Sequence, residues 1–252
     1  MVENQNNYLV WQKATVSQTF LTGVRGAIPL GKEQIDCLMG LILLTQTDVS
    51  SFLDLGCGNG ILGSAIYQSY PRAQGVFLDL SPAMLTEAER NLGSNAANSK
   101  FIVSNLAERN WLDSIADFPK FSVIVSGFAI HHLSDRTKQE LYREIFNLLA
   151  DGGIFLNLEH VASHSHLGER AFDQLFVDSL YSFHQQRGSQ LSRQEIDEQY
   201  YNRADKVANI LAKVELQCQW LEEIGFVDVD CFFKLFEIAL FGGIKPLVKA
   251  NV

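Results

Sequence analysis

The segment Asp54-Leu55-Gly56-Cys57-Gly58-Asn59-Gly60 constrains this chain more than any other. It follows the apolar run from Phe52 to Leu55 and leads into a helical pattern through Leu62, Ala65 and Ile66. The order therefore reads as strand, glycine turn and helix. Glycines at these positions let the backbone turn sharply and approach a ligand that Cβ atoms would hold away. The helix that follows points its first N–H groups at the same space.

The rest of the chain repeats the alternation. Gly75 to Asp79 is a second strand, after which Ser81 offers an N-cap and Pro82 takes the first helical position. Phe101 to Val103 and Phe121 to Val125 are the third and fourth strands. A helix after Ser134 carries Leu141, Ile145, Leu148 and Leu149 on one face and is expected to stop at Gly152-Gly153. Ile154 to Leu158 is the fifth strand. Such alternation predicts a parallel sheet covered on both faces. After a helix ending at Gly225, Val227 to Phe236 and Ile238 to Lys245 predict an antiparallel pair closing one edge. The fold class is thus α/β, a doubly wound seven-stranded Rossmann-like sheet.

No repeat or Pro/Gly-rich linker divides residues 1–252, which read as a single domain. An insertion at about 163–214 opens with the stripe Phe172, Leu175, Phe176, Leu180 and Phe183. Ser192 and Glu195 then spell a capping box before a second helix through Ile196, Tyr200, Val207 and Leu211. An insertion at this point can cover the carboxyl edge of the sheet, so it reads as a helical lid. Its aromatic residues are expected to be core for the most part, with one or two in an acceptor pocket.

Composition limits the partners. Acidic residues outnumber basic ones by 29 to 20, a formal charge of −9, which argues against a nucleic-acid substrate. The polar start Met1 to Asn7 lacks a signal-peptide pattern, and the run Cys37 to Leu44 is far short of the ~20 residues that cross a bilayer. Cys37, Cys57, Cys218 and Cys231 form no CxxC and read as reduced thiols of a cytoplasmic protein.

Asp79 ends the second strand at the distance where an acid accepts hydrogen bonds from both ribose hydroxyls of an adenosine cofactor. Gly58, Gly60 and Gly63 also spell the dinucleotide fingerprint, but its frame is displaced. Asp54 lies at the strand's end, where a carboxylate repels a pyrophosphate and suits the ammonium of a methionine moiety. The charge favours S-adenosylmethionine (SAM).

This pattern resembles the class I SAM-dependent methyltransferases, whose D-x-G-x-G-x-G loop matches Asp54 to Gly60. The resemblance implies that Gly56, Cys57, Gly58, Asn59 and Gly60 shape the cofactor loop, while Asp79 holds the ribose and Leu80 packs on adenine. Met84 falls in the same motif. Asn105 stands where the family has an acid facing the adenine amino group, with Leu106 beside it. Ser126, Gly127 and Phe128 would border the reacting methyl, and Arg25 echoes an N-terminal segment that folds over the cofactor.

Methyl transfer can rest on proximity alone, and a base is needed only for a protonated acceptor. His131 and His132, just past the fourth strand, are the candidates. The plainer alternative has one histidine stacked under the loop and the other capping a backbone group. His160 and His164 could share a helical face and bind a metal, but no close-spaced carboxylate pair accompanies them, so the expected metal set is none. Glu159 is a candidate for the acceptor pocket. The function expected is methyl transfer from SAM to a small molecule. Two rivals stand beside it: a tRNA wobble-uridine modifying enzyme using a carboxylated SAM derivative, which the stretch from Trp220 to Gly243 also resembles, and a non-catalytic SAM-binding protein. A basic groove beside the cleft would favour the first, and turnover would exclude the second.

Overall fold

Seven apolar segments of this chain pair into one sheet: β1 (Ser51–Leu55), β2 (Gln74–Asp79), β3 (Ser99–Val103), β4 (Phe121–Gly127), β5 (Leu149–His160), β6 (Val227–Leu235) and β7 (Ile238–Ile244). The computed structural model describes Leu9, residues 25–202 and residues 208–247. Sheet order is β3-β2-β1-β4-β5-β7-β6. The first five strands run parallel, and β7 lies antiparallel between β5 and β6, as the alternation predicts. Every residue of β1 is buried, as expected of a central strand covered on both faces. The strand order reverses between β1 and β4, and a crevice opens beyond their carboxyl ends.

Helices α1 (Gly31–Thr45), α2 (Ile61–Ser69), α3 (Pro82–Leu92), α4 (Asp135–Leu148), α5 (His166–Gln186), α6 (Arg193–Tyr201) and α7 (Val214–Ile224) complete the layers. One core gathers Leu38, Ile42, Phe52, Phe77 and Leu156 with Phe172, Phe176, Leu180 and Ile196 of the insertion. The opposite face packs Trp111, Tyr142, Ile145, Trp220 and Phe226. Helix α3 starts as the sequence dictates, with Ser81 Oγ accepting from the Met84 N–H and Pro82 in the first turn.

Two boundaries differ from the sequence reading. Helix α4 ends at Leu148, before the glycine pair, and β5 begins at Leu149, five residues earlier than expected. Gly152 takes φ 78° inside that strand and donates to the Lys245 carbonyl, while Lys245 donates back to Gly153. The glycines therefore kink a strand and do not cap a helix. In the insertion, the capping box of Ser192 and Glu195 is formed, but α6 ends at Tyr201; Leu211 is outside any helix, and Val207 lies outside the described residues.

Helix α5 lies against the turn Arg25–Ala27. Ser179 Oγ donates to the Ala27 carbonyl at 2.6 Å, and a Cβ on Gly26 would meet the Phe183 ring at 2.3 Å. The insertion is thus anchored to the body at its first helix. No described helix is long and apolar enough to cross a membrane.

Candidate active site

The glycine turn folds back over the end of β1. The Cys57 N–H donates to the Leu78 carbonyl, and Gly60 donates to the Cys57 carbonyl. Gly56 has φ 63°, and a Cβ there would stand 2.2 Å from the Ala129 Cβ, so only glycine lets the β1 and β4 loops meet. Gly58, by contrast, faces open space: a Cβ would meet nothing within 4 Å. That opening belongs to a cavity walled by Asp54, Gly56, Cys57, Gly58, Asn59, Ile61, Leu62, Asp79, Leu80 and Met84. Ser104, Asn105, Leu106, Gly127, Phe128, Ala129, His132 and Leu133 close the other side.

Asp79 sits at the rim. Its carboxylate accepts from the Gly58 N–H and the Ser81 N–H, both at 2.8 Å. Burial still pushes it up to about 6, against the pull of these N–H groups. An enclosed carboxylate with neutral partners suits hydroxyl donors such as a ribose diol. Asp54 is 1% exposed, and its Oδ2 accepts from the Gly63 N–H at 3.1 Å. It therefore caps the start of α2 from the neighbouring strand, a role not read from the sequence. Burial also raises the Cys57 thiol well above its usual range, in keeping with a packing residue.

The remaining assignments divide. Leu80, Met84 and Leu106 give the cavity apolar walls. Asn105 Oδ1 accepts from the Ala107 N–H and its Nδ2 donates to Glu108, so an adenine amino group would use the oxygen's second lone pair. Phe128 lines the cavity in a left-handed conformation, φ 54°, with its N–H on the Leu158 carbonyl. Ser126 is placed elsewhere: it is fully buried and its hydroxyl donates to the Leu55 carbonyl, tying β4 to β1 behind the cavity. Gly60 also stands behind the lining, against Ala88. The side chain of Arg25 lies outside the described residues. The sequence reading did not single out Ile61, Leu62, Ala129 and Leu133 for the site; their position just after the two loops is the signal that finds them.

His131 and His132 occupy the short turn Ile130–His132, both 7% exposed, with ring centroids 3.9 Å apart. His132 faces the cofactor cavity, and its Nδ1 lies 3.3 Å from the Ala208 carbonyl. His131 Nδ1 is 2.5 Å from Glu159 Oε1, while its backbone N–H donates to Glu159 Oε2 at 3.0 Å. Burial pushes Glu159 up to about 7, opposed by the His160 backbone N–H. Glu159 thus meets His131 at both the ring and the backbone N–H. His160, His164 and the neighbouring His166 take separate carboxylate partners: His160 pairs with Glu237 at 2.9 Å, His164 with Glu215 at 3.0 Å and His166 with Glu169 at 3.2 Å. Among the described residues no group of three His, Cys, Asp or Glu is placed to hold a metal. Phe172, Phe176, Tyr181, Phe183, Tyr200 and Tyr201 of the insertion do not line the cofactor cavity; Phe172 and Phe176 are core.

Fold and cavity together define an α/β protein with a nucleoside-type cofactor site at the reversal between β1 and β4. The residues fit SAM: an opening over Gly58, a half-buried acid at the rim for the ribose and apolar walls for the base. A family model described as a methyltransferase domain matches residues 52–153. Among relatives, a carboxy-S-adenosyl-L-methionine synthase of Helicobacter hepaticus is 23% identical, covering 88% of each chain. A ribosomal RNA large subunit methyltransferase G of Shewanella halifaxensis is 27% identical over 58% of this chain and 35% of its own. The fold matches human N-acetylserotonin methyltransferase in complex with SAM, at TM-score 0.60 and 15% identity, over 98% of this chain and 60% of that one. An O-methyltransferase family protein from Burkholderia thailandensis gives TM-score 0.61 at 15% identity, and the chain spans only 57% of its length. Residues 52–153 thus match a methyltransferase domain, set in the fold that the SAM-dependent class I methyltransferases share. The chain is an enzyme that uses SAM.

Proposed function

We propose that this enzyme transfers the methyl group of SAM to a small molecule through a hydroxyl or amine, with His132 taking the acceptor's proton. One observation carries the reading: His132 lines the cofactor cavity while its Nδ1 meets the Ala208 carbonyl. A carbonyl only accepts, so Nδ1 bears the proton and Nε2 is the basic nitrogen. Bound SAM supplies an activated methyl, which leaves the protein to position the acceptor and remove its proton. Glu159 fixes His131, and His131 packs beneath His132. Gly127 and Phe128 border the methyl, and the loop from Gly56 to Gly60 with Asp79 holds the adenosyl end. The formal charge of −9 supports a small acceptor over a nucleic acid, and four free cysteines support a cytoplasmic setting.

A second reading has one specific support. The relatives that align over nearly the whole chain carry the name carboxy-S-adenosyl-L-methionine synthase, including one from Pseudoalteromonas atlantica at 24% identity over 92% of this chain. On this reading the chain modifies SAM itself. Mass spectrometry separates the two after incubation of the enzyme with SAM and panels of hydroxyl, amine and carboxylic compounds. Methyl transfer releases S-adenosylhomocysteine (SAH) with a methylated acceptor, and His132→Ala should abolish it while SAH still binds. A carboxylated SAM without a methylated acceptor would overturn the first reading in favour of the second.

A further inference from the structure

The five residues 208–212, which leave the insertion towards α7, touch each histidine of the central cluster. The Ile210 N–H donates to the His131 carbonyl at 2.8 Å. Ala208 offers its carbonyl to His132 Nδ1, and Asn209 Nδ2 reaches His160 Nδ1 at 3.5 Å. Farther along, the Ala212 carbonyl accepts from the Ala162 N–H at 3.0 Å and from Gln217 Nε2 at 3.2 Å. Ala208 lies in a 3-10 turn, and residues 209–213 after it have no regular secondary structure, so the path of the strap is set by these side-chain and backbone contacts.

What fixes it from the other side is Lys138. The side chain of this α4 lysine is 1% exposed, and a buried ammonium is costly unless its donors are matched. Its Nζ donates to the Ile210 carbonyl and to Asp135 Oδ1, the latter at 2.9 Å. Ile210 is therefore held through both of its backbone polar groups, by the His131 carbonyl at its N–H and by Lys138 at its carbonyl. Ala208 lies two residues away.

We propose that Lys138 and the strap of residues 208–212 are the positioning device that keeps His132 protonated on Nδ1 and basic on Nε2, an inference that rests on the role given to His132 above. Lys138 does not line the cavity; it acts through the Ile210 carbonyl of the strap. Without it the Ala208 carbonyl loses its fixed place, and His132 loses the acceptor that selects its tautomer.

Long-range proton–nitrogen NMR on the full chain reads this without any acceptor, because protonated and basic ring nitrogens have well-separated shifts; His132→Gln assigns the signals. The unmutated protein should show His132 as one tautomer with the proton on Nδ1. Lys138→Met should give averaged nitrogen shifts for His132, with SAH affinity changed by less than about twofold because Lys138 is remote from the cofactor. If Lys138→Met fails to fold, Ile210→Pro removes the N–H held by His131, at a side chain 41% exposed, and should give the same averaging. His132 protonated on Nε2 in the unmutated protein, or an unchanged Nδ1 tautomer in a folded Lys138→Met variant, would overturn the proposal. Averaged shifts in Lys138→Met beside full turnover by His132→Ala would uphold the positioning device and remove only the base.

Discussion

Asp79 gives the cofactor site a pH dependence that can be worked out from its surroundings. Burial holds its carboxyl at about 6 in the protein without ligand, whereas both hydroxyls of a ribose diol can donate to separate carboxyl oxygens only when the group is ionised. At pH 5 roughly one molecule in eleven carries the carboxylate, against nearly all at pH 7.5, so SAH affinity should fall about tenfold, or about 1.4 kcal/mol, between them. The sign follows from the direction of the shift. The folded value lies above the unfolded 3.8, so the group destabilises the ligand-free fold progressively as pH rises from 3.8 through about 6. Ligand hydroxyls return that energy as binding. Calorimetry with SAH between pH 5.0 and 8.0, in two buffers of different ionisation enthalpy, reads both the affinity and the proton released. Asp79→Asn should bind at least about tenfold more weakly at pH 7.5 and lose the pH slope, since an amide accepts with one atom only. A slope that persists in Asp79→Asn belongs to Glu159 or the histidines, and an affinity flat from pH 7.5 to 5.0 would refute the reasoning.

Four further outcomes are expected. Gly63→Ala places a Cβ 2.2 Å from the Phe77 ring and 3.1 Å from Phe52, so it should lower stability by about 1–3 kcal/mol in urea unfolding despite alanine's helix preference. Phe128→Gly should be more stable than Phe128→Ala by about 1 kcal/mol, reversing the usual order, because the position holds φ 54°; equal unfolding midpoints would remove the strain argument. Glu159→Gln deletes a carboxyl raised to about 7, whose ionisation costs the fold stability as pH climbs from 4.5 to about 7; the variant should therefore gain on the unmutated protein in urea midpoints taken at pH 8 relative to pH 5. Ser192→Ala breaks a capping box in which the Ser192 N–H donates to Glu195 Oε2 at 2.8 Å, and hydrogen exchange in α6 should speed up by the equivalent of about 1 kcal/mol, with the β1 amides unaffected.

The cofactor half of the site was legible because its chemistry is local. A glycine turn, its flanking strand and the acid ending the next strand lie within 29 residues, and parallel pairing of β1 with β2 brings Asp79 to Gly58. The misread boundaries have one cause. Gly152 and Gly153 look like a helix stop, yet a positive φ serves a kinked strand equally well, and the antiparallel partner β7 decides between them. Asp54 shows the same limit: its place at the loop was readable, but its N–H partner on Gly63 depends on how steeply α2 leaves the turn. Ser126 looked like a cavity residue because it adjoins Gly127; strand alternation sends its hydroxyl to the opposite side, against Leu55.

The histidine side of the candidate site could not be read in the same way, since it is assembled from pieces that no spacing rule joins. The turn at Ile130–His132, the end of β5 at Glu159 and His160, and the strap at Ala208 to Ala212 are separated by up to 76 residues, as the bond from His132 to Ala208 measures. Each histidine in the sequence had several acids within reach of chain, and the sheet order alone determines that His131 receives Glu159 and His160 receives Glu237. Because β7 runs antiparallel beside β5, the turn before it delivers Glu237 to His160, and the Val161 N–H seals the junction on the Glu237 carbonyl at 2.7 Å. The closing strand pair is thus more than an edge to the sheet. It occupies one side of His160, which leaves His132, against the β1 and β4 loops, as the member of the cluster that lines the cavity.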